Sequence, residues 1–155
     1  MEEAIKSDII EYLTKLSTFF ADRPSGYSKV LASGKSFIPA KRPKGLRKKA
    51  DKLCYMNAGR LALDDESLIY CEGFAKSEIG FITEHAWCIT SEGVVIDPTW
   101  KNPEKCEYFG IPFKLEYLRE VTLRTAYWGI ISHTNVSFYS KEASEYVQEL
   151  PLFEQ

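Results

Sequence analysis

Three side chains in the 155-residue chain have the types needed to cleave a carbonyl compound covalently: Cys54, His85 and Asp97. A sulfur activated by an imidazole, which a carboxylate in turn orients, is the general apparatus of thiol catalysis. With Asp51 as a helix cap, Cys54 takes the third helical position. There, free backbone N–H groups and the positive end of the helix favour a thiolate. Lys52 and the preceding Arg47, Lys48 and Lys49 push the same way. His85 is one of two histidines and opens the run His85-Ala86-Trp87-Cys88-Ile89-Thr90. The next run, Val94-Val95-Ile96-Asp97, follows the turn Ser91-Glu92-Gly93. If that turn sets Thr90 opposite Val94, Trp87 falls opposite Asp97, and His85 lies two residues along on the same face. Cα atoms at such diagonal positions are roughly 7–8 Å apart, within reach of a carboxylate–imidazole bond. A turn longer or shorter by one residue would send Asp97 to the other face.

Taken singly, each residue has a plainer reading. A cysteine at a helix start is commonly structural, a strand histidine is commonly hydrogen-bonded in the core, and Asp97-Pro98 can simply start a turn. Their joint occurrence and order carry the argument. Cys54-Tyr55-Met56-Asn57-Ala58, Tyr70-Cys71-Glu72-Gly73-Phe74-Ala75, His85-Ala86-Trp87 and Val94-Val95-Ile96-Asp97-Pro98-Thr99-Trp100 together resemble the transglutaminase-like branch of the papain-type thiol enzymes. Small stand-alone members of bacterial and phage type are the nearest match. The matching segments fall in one stretch, from Cys54 to Trp100. The resemblance implies that Cys54 is the nucleophile, His85 the general base and Asp97 the orienting carboxylate. It also implies a helix bearing the cysteine packed on an antiparallel sheet, a protein or peptide-like amide substrate, and neither cofactor nor metal. Papain-like enzymes place a Gln upstream of the cysteine, but the only glutamines here are Gln148 and Gln155. An oxyanion hole would then use the Cys54 N–H and a second donor, with Tyr55, Asn57 and the basic loop as candidates. Trp87 is expected to pack the wall of the site. Trp100 could touch substrate, and Glu72 either shapes the sheet or lines the pocket. The calcium-binding acidic loop of the animal cross-linking enzymes is not evident.

The elements that must position these residues read as one α+β domain over 1–155, with helices leading and antiparallel strands following, and no β-α-β alternation. Ile5, Ile9, Ile10, Leu13, Leu16 and Phe20 give an amphipathic helix over 3–20, ended by Arg23-Pro24-Ser25-Gly26. Residues 27–50 read as a basic loop with a short helix near 28–33. A catalytic core over 51–132 follows. It comprises a helix from Lys52 to Leu63 and strands at Leu68 to Ala75, His85 to Thr90 and Val94 to Asp97. Tyr108 to Phe113 reads as a short edge segment, Lys114 to Arg124 as a helix and Ala126 to Ser132 as a buried strand. Ser140 is expected to cap a last helix over 140–150. Gly34-Lys35-Ser36 resembles the end of a phosphate-binding loop, but Lys29 stands where its first glycine is needed. His133 reads as a loop residue.

Apolar residues at 45% and charged ones at 27% exclude a disordered chain. No apolar stretch approaches the ~18 residues of a membrane span, and the acidic, periodic start does not read as a signal peptide, so a cytoplasmic location is expected. Cys54, Cys71, Cys88 and Cys106 form no CxxC pair and are expected reduced. A zinc site from Cys71, His85, Cys88 and Cys106 would lack the close ligand pairs typical of structural zinc. Charge is uneven: eight basic residues stand against Asp51 between Lys35 and Lys52, leaving 12 basic and 21 acidic residues elsewhere. That segment is either a solvated connector or an electropositive rim for an acidic partner. No nucleic-acid motif accompanies it. Two functions remain open: a thiol hydrolase or acyltransferase, with protease, amidase or deamidase chemistry ahead of cross-linking, and a catalytically silent binding module using the basic loop.

Overall fold

The computed structural model describes residues 7–21, 25–131 and 136–150, without the side chains of 136 and 137. Helix α1 (Asp8–Phe19) starts at Ser7, whose hydroxyl oxygen accepts from the N–H groups of Ile9 and Ile10. Ile9 and Leu13 from its apolar stripe are buried. Residues 3–6 of the expected helix and Arg23-Pro24 of its break lie outside the described residues. Helix α2 (Gly26–Ser33), capped by Ser25, packs on α1 and is followed by a two-residue strand, β1 (Lys35–Ser36), within the stretch read as loop.

The strands β2 (Ile69–Lys76), β3 (Ile82–Ile89), β4 (Val95–Ile96) and β5 (Glu107–Phe113) join β1 in one sheet of order β1-β5-β2-β3-β4, with every strand pair antiparallel. Gly93, at φ 82°, closes the turn between β3 and β4, since a left-handed residue there costs glycine little. The turn sets Ile89 opposite Val95 and Cys88 opposite Ile96, and the Thr90 N–H donates to the Val94 carbonyl at 2.9 Å. His85 lies inside β3 rather than at its start. β5 is no edge: it sits between β1 and β2 along its whole length on the β2 side. Pro112 is tolerated because its carbonyl accepts from Gln148. Its peptide groups therefore face away from β2, where a missing N–H breaks no ladder bond.

Just past β1, the Ile38 N–H donates to Gly93 and its carbonyl accepts from Val95, each at 2.9 Å. A parallel bridge to Val94 results. The chain leaving one edge strand thus meets the other edge, and the sheet curls. One face buries Phe37, Cys71, Trp87, Ile89, Val95 and Tyr108 within the curl. The other presents Tyr70, Phe74, Ala86, Cys88, Ile111 and Phe113 to the helices, among them α3 (Cys54–Asp64) and α4 (Leu115–Thr125). The architecture is therefore mixed α+β with a curled, five-stranded antiparallel sheet. No helix among the described residues is long and apolar enough to cross a membrane.

Three local expectations are corrected. Helix α3 begins at Cys54 and has Leu53 at its cap position, without a side-chain cap. Asp51 is instead drawn to Lys48 at 2.7 Å, and Lys52 turns through φ 67°. Residues 126–131 form no strand: Ala126 (φ 63°) and Gly129 (φ 118°) are left-handed, and the N–H groups of Ile130 and Ile131 donate to the Glu72 carboxylate. The helix expected over 140–150 is reduced to one turn, α6 (Ala143–Tyr146), and a separate short helix, α5 (Val136–Tyr139), precedes that range. Helix α6 is capped reciprocally by Glu142 and Glu145, not by Ser140. Ser132, the last residue of the expected strand, and His133 lie outside the described residues.

Candidate active site

Asp97 follows β4 directly, and its 0% exposure means every carboxylate oxygen must find a donor inside the protein. It finds four. Oδ1 accepts from the N–H groups of Thr99 (2.8 Å) and Trp100 (3.3 Å). Oδ2 accepts from the Tyr108 hydroxyl at 2.7 Å and meets His85 Nε2 at 2.8 Å. A carboxylate so satisfied stays ionised. Burial alone would raise its pKa, but the His85 charge and hydrogen bond, then Thr99 and Tyr108, lower it overall.

His85 is 1% exposed. Nε2 is engaged by Asp97, and the ring also interacts with the Cys54 side chain. Burial works against a charged ring. The Asp97 charge and hydrogen bond, followed by the contact with Cys54, outweigh it and raise the His85 pKa from 6.5 to about 9. Trp100 stacks on the imidazole at 4.0 Å between ring centroids and 24° between planes, which fixes the ring's tilt. Trp87 stands behind it at 6.0 Å.

Cys54 opens α3 and is partly buried against the helix-side core. Of the four cysteines, all free, it alone is not fully buried. The others are held as thiols by desolvation, with Cys71 and Cys88 raised well beyond 9 and Cys106 raised to about 11. Cys88 is further occupied by the Ala58 carbonyl at 3.2 Å. Cys71 and Cys88 project to opposite faces of the sheet, and among the described residues no three His, Cys, Asp or Glu are grouped to hold a metal.

The remaining sequence candidates take differing places. Asn57 sits one turn below Cys54, and its amide donates to the Ala50 carbonyl (2.9 Å) and to Thr99 Oγ1 (3.0 Å). Both hydrogens are thereby committed to joining α3, the basic segment and the Asp97 loop. Glu72 is buried on the helix side of the sheet, accepting from Tyr70 and from the backbone of Ile130 and Ile131. Desolvation raises its pKa to about 7 against those hydrogen bonds. Tyr55 packs against the main core and lines a small cleft with Glu72 and Glu84. Trp87 is wholly buried, whereas Trp100 is half-buried.

Two residues at the site were not anticipated from sequence. Tyr108 donates to the very oxygen that holds His85. Arg42 donates to the Asp97 and Trp100 carbonyls at 2.9 and 2.7 Å, clamping the loop that carries the carboxylate. Both bonds come from Nη1, so its two hydrogens hold the two ends of the loop together. The Lys49 N–H bonds the Pro98 carbonyl nearby. The arrangement can hold a charged imidazole between a sulfur and a carboxylate, with that carboxylate fixed by four donors and its loop fixed by Arg42. Comparison with protein-family models, with characterised proteins and with solved structures gave no match to this chain.

Proposed function

We propose that the protein is a cysteine-dependent hydrolase or acyltransferase of transglutaminase-like type, built on the papain-like core of that group and acting on an amide or ester carbonyl. The observation that carries this reading is the His85 imidazole bonded to the buried Asp97 carboxylate at 2.8 Å, with the Cys54 side chain close enough to act electrostatically on the same ring. The Cys54 sulfur attacks the carbonyl carbon, and the oxyanion forms near the start of α3, where no side chain occupies the first backbone N–H groups. His85, charged at neutral pH, gives its proton to the leaving amine or alcohol as the carbon–heteroatom bond breaks and a thioester remains. The now neutral ring takes a proton from water, whose oxygen attacks the thioester; the carbon–sulfur bond breaks, releasing the acid and restoring the Cys54 thiolate beside the charged imidazole. An amine in place of water would complete acyl transfer. Throughout, Asp97 keeps the ring in one orientation and balances its charge. Four unpaired cysteines support a reducing compartment such as the cytoplasm.

The test is acylation. An activated ester should release its alcohol in a burst matched by a mass increment on Cys54, and Cys54→Ala should abolish both while leaving the fold intact. Full activity in that variant would remove the mechanism. A second reading, a binding module without chemistry, draws on the exposed basic residues between 41 and 52 and predicts no acylation at all.

A further inference from the structure

Of the eight basic residues between Lys35 and Lys52, six are exposed: Lys41, Lys44, Arg47, Lys48, Lys49 and Lys52. Among the described residues only Lys48 has an acidic partner, Asp51. The segment is not a free tether. Arg42 ties it to the Asp97 and Trp100 carbonyls, the Lys49 N–H ties it to Pro98, and the Asn57 amide ties it to Ala50. It then runs straight into Cys54. Between this segment and α3 lies a groove of about 340 Å³, whose lining includes Leu46, Lys49, Arg60, Asp64 and Pro98. Six exposed basic residues, five of them without an acidic partner among the described residues, therefore stand on a segment pinned to the Asp97 loop and leading directly into Cys54, in a protein that is otherwise acidic.

Resting on the proposed acyl chemistry, we propose that the substrate is an acidic one: a peptide acyl donor with Asp or Glu residues flanking the reacting carbonyl, which lie along residues 41–52. A solvated connector would need no pinning to the catalytic loop, and cations without acidic partners repel one another at a cost that a bound anion relieves. Nucleic acid fits less well, because no aromatic residue stands between Ile38 and Cys54 to stack a base.

Three peptidyl aryl thioesters, identical except for flanking Glu-Glu, Gln-Gln or Lys-Lys, test this. Cys54 sulfur forms a new thioester as the carbonyl–aryl-sulfur bond breaks, and the aryl thiol leaves with the His85 proton. At low salt the Glu probe should show kcat/KM about 10-fold above the Gln probe, with the Lys probe lowest. The preference should collapse at high salt, where the Debye length falls to about 3 Å. Lys41→Gln/Lys44→Gln/Arg47→Gln, all exposed positions, should erase the preference, so that the Glu, Gln and Lys probes react at equal rates. Equal rates for the three probes with the native protein, or a preference that survives the triple variant, overturn the inference and leave the acyl chemistry standing. If no probe acylates Cys54, the proposed chemistry fails and the inference with it. Stronger inhibition by a single-stranded oligonucleotide than by a Glu-rich peptide overturns it in favour of nucleic acid.

Discussion

Replacing Asp97 by Asn removes the charge facing His85 and keeps a side chain of nearly the same shape. In the native protein His85 is raised to about 9 from an ordinary 6.5, against burial, by Asp97 and then Cys54. A folded pKa above the unfolded one adds stability that is fully present below pH 6.5 and is lost as pH climbs through 9. The raised value corresponds to on the order of 3 kcal/mol. Side-chain exposures of 2% and 0% leave little solvent screening to discount it. Other titrations fall mostly elsewhere. Glu72, raised to about 7 from 4.5, loses its contribution between those values, and the buried thiols begin to act only near 9. In the Asn variant burial dominates, so the ring should be neutral above pH 6.5. Urea unfolding from pH 6.5 to 9 should show the native protein losing about 2–3 kcal/mol and the variant losing less than about 1. Proton NMR of the imidazole C–H should follow the same window, and a His85→Ala variant separates its signal from that of His133. Parallel stability curves, or a native ring titrating near 6.5, would refute the ion-pair account.

Tyr108→Phe should lower kcat about 10-fold with KM unchanged, since Asp97 loses one donor and the substrate loses none; a hydrogen bond to a charged acceptor is worth roughly 1.5–3 kcal/mol. An equal kcat, or a change confined to KM, would remove Tyr108 from the positioning of His85. Glu72→Ala leaves the Tyr70 hydroxyl and the Ile130 and Ile131 N–H groups without their acceptor and should cost on the order of 3 kcal/mol in denaturant unfolding. A loss under 1 kcal/mol would mean these donors find another partner. Gly73→Ala would drive a Cβ to 2.4 Å from the backbone of Gly110 and Phe109. The strands cannot separate without breaking their ladder, so the variant should unfold at least 10 °C lower in thermal scans, and an unchanged midpoint would refute that closeness.

What could be read from the chain tracks how local each feature is. The His85–Asp97 relation depended on one turn, Ser91-Glu92-Gly93, and a period of two, both visible in sequence. The β3–β4 register follows from them. The start of α3 depended on a competition that sequence did not show: the Asp51 carboxylate was free to cap the helix, and Lys48 drew it away. Ala126 to Ser132 read as a strand because a short apolar run looks the same in several settings. Its fate was set by a glutamate over fifty residues earlier that takes the Ile130 and Ile131 N–H groups. Tyr108 and Arg42 were invisible for the same reason. One reaches Asp97 only because β5 inserts beside β2. The other does so only because its segment is folded back on the Asp97 loop. Gly110 and Pro112 gave β5 the composition of an edge, although only the Pro112 end has an outward side without a strand.

The proposed chemistry rests on Cys54 being a nucleophile that His85 serves, and mass spectrometry of the intact protein after reaction with an electrophilic acyl probe tests this most directly. One acyl group should appear, peptide mapping should place it on Cys54, and His85→Ala should reduce its rate of formation by about 10²-fold or more. Labelling of Cys71, Cys88 or Cys106 instead, or unchanged labelling of Cys54 without the imidazole, would contradict the account.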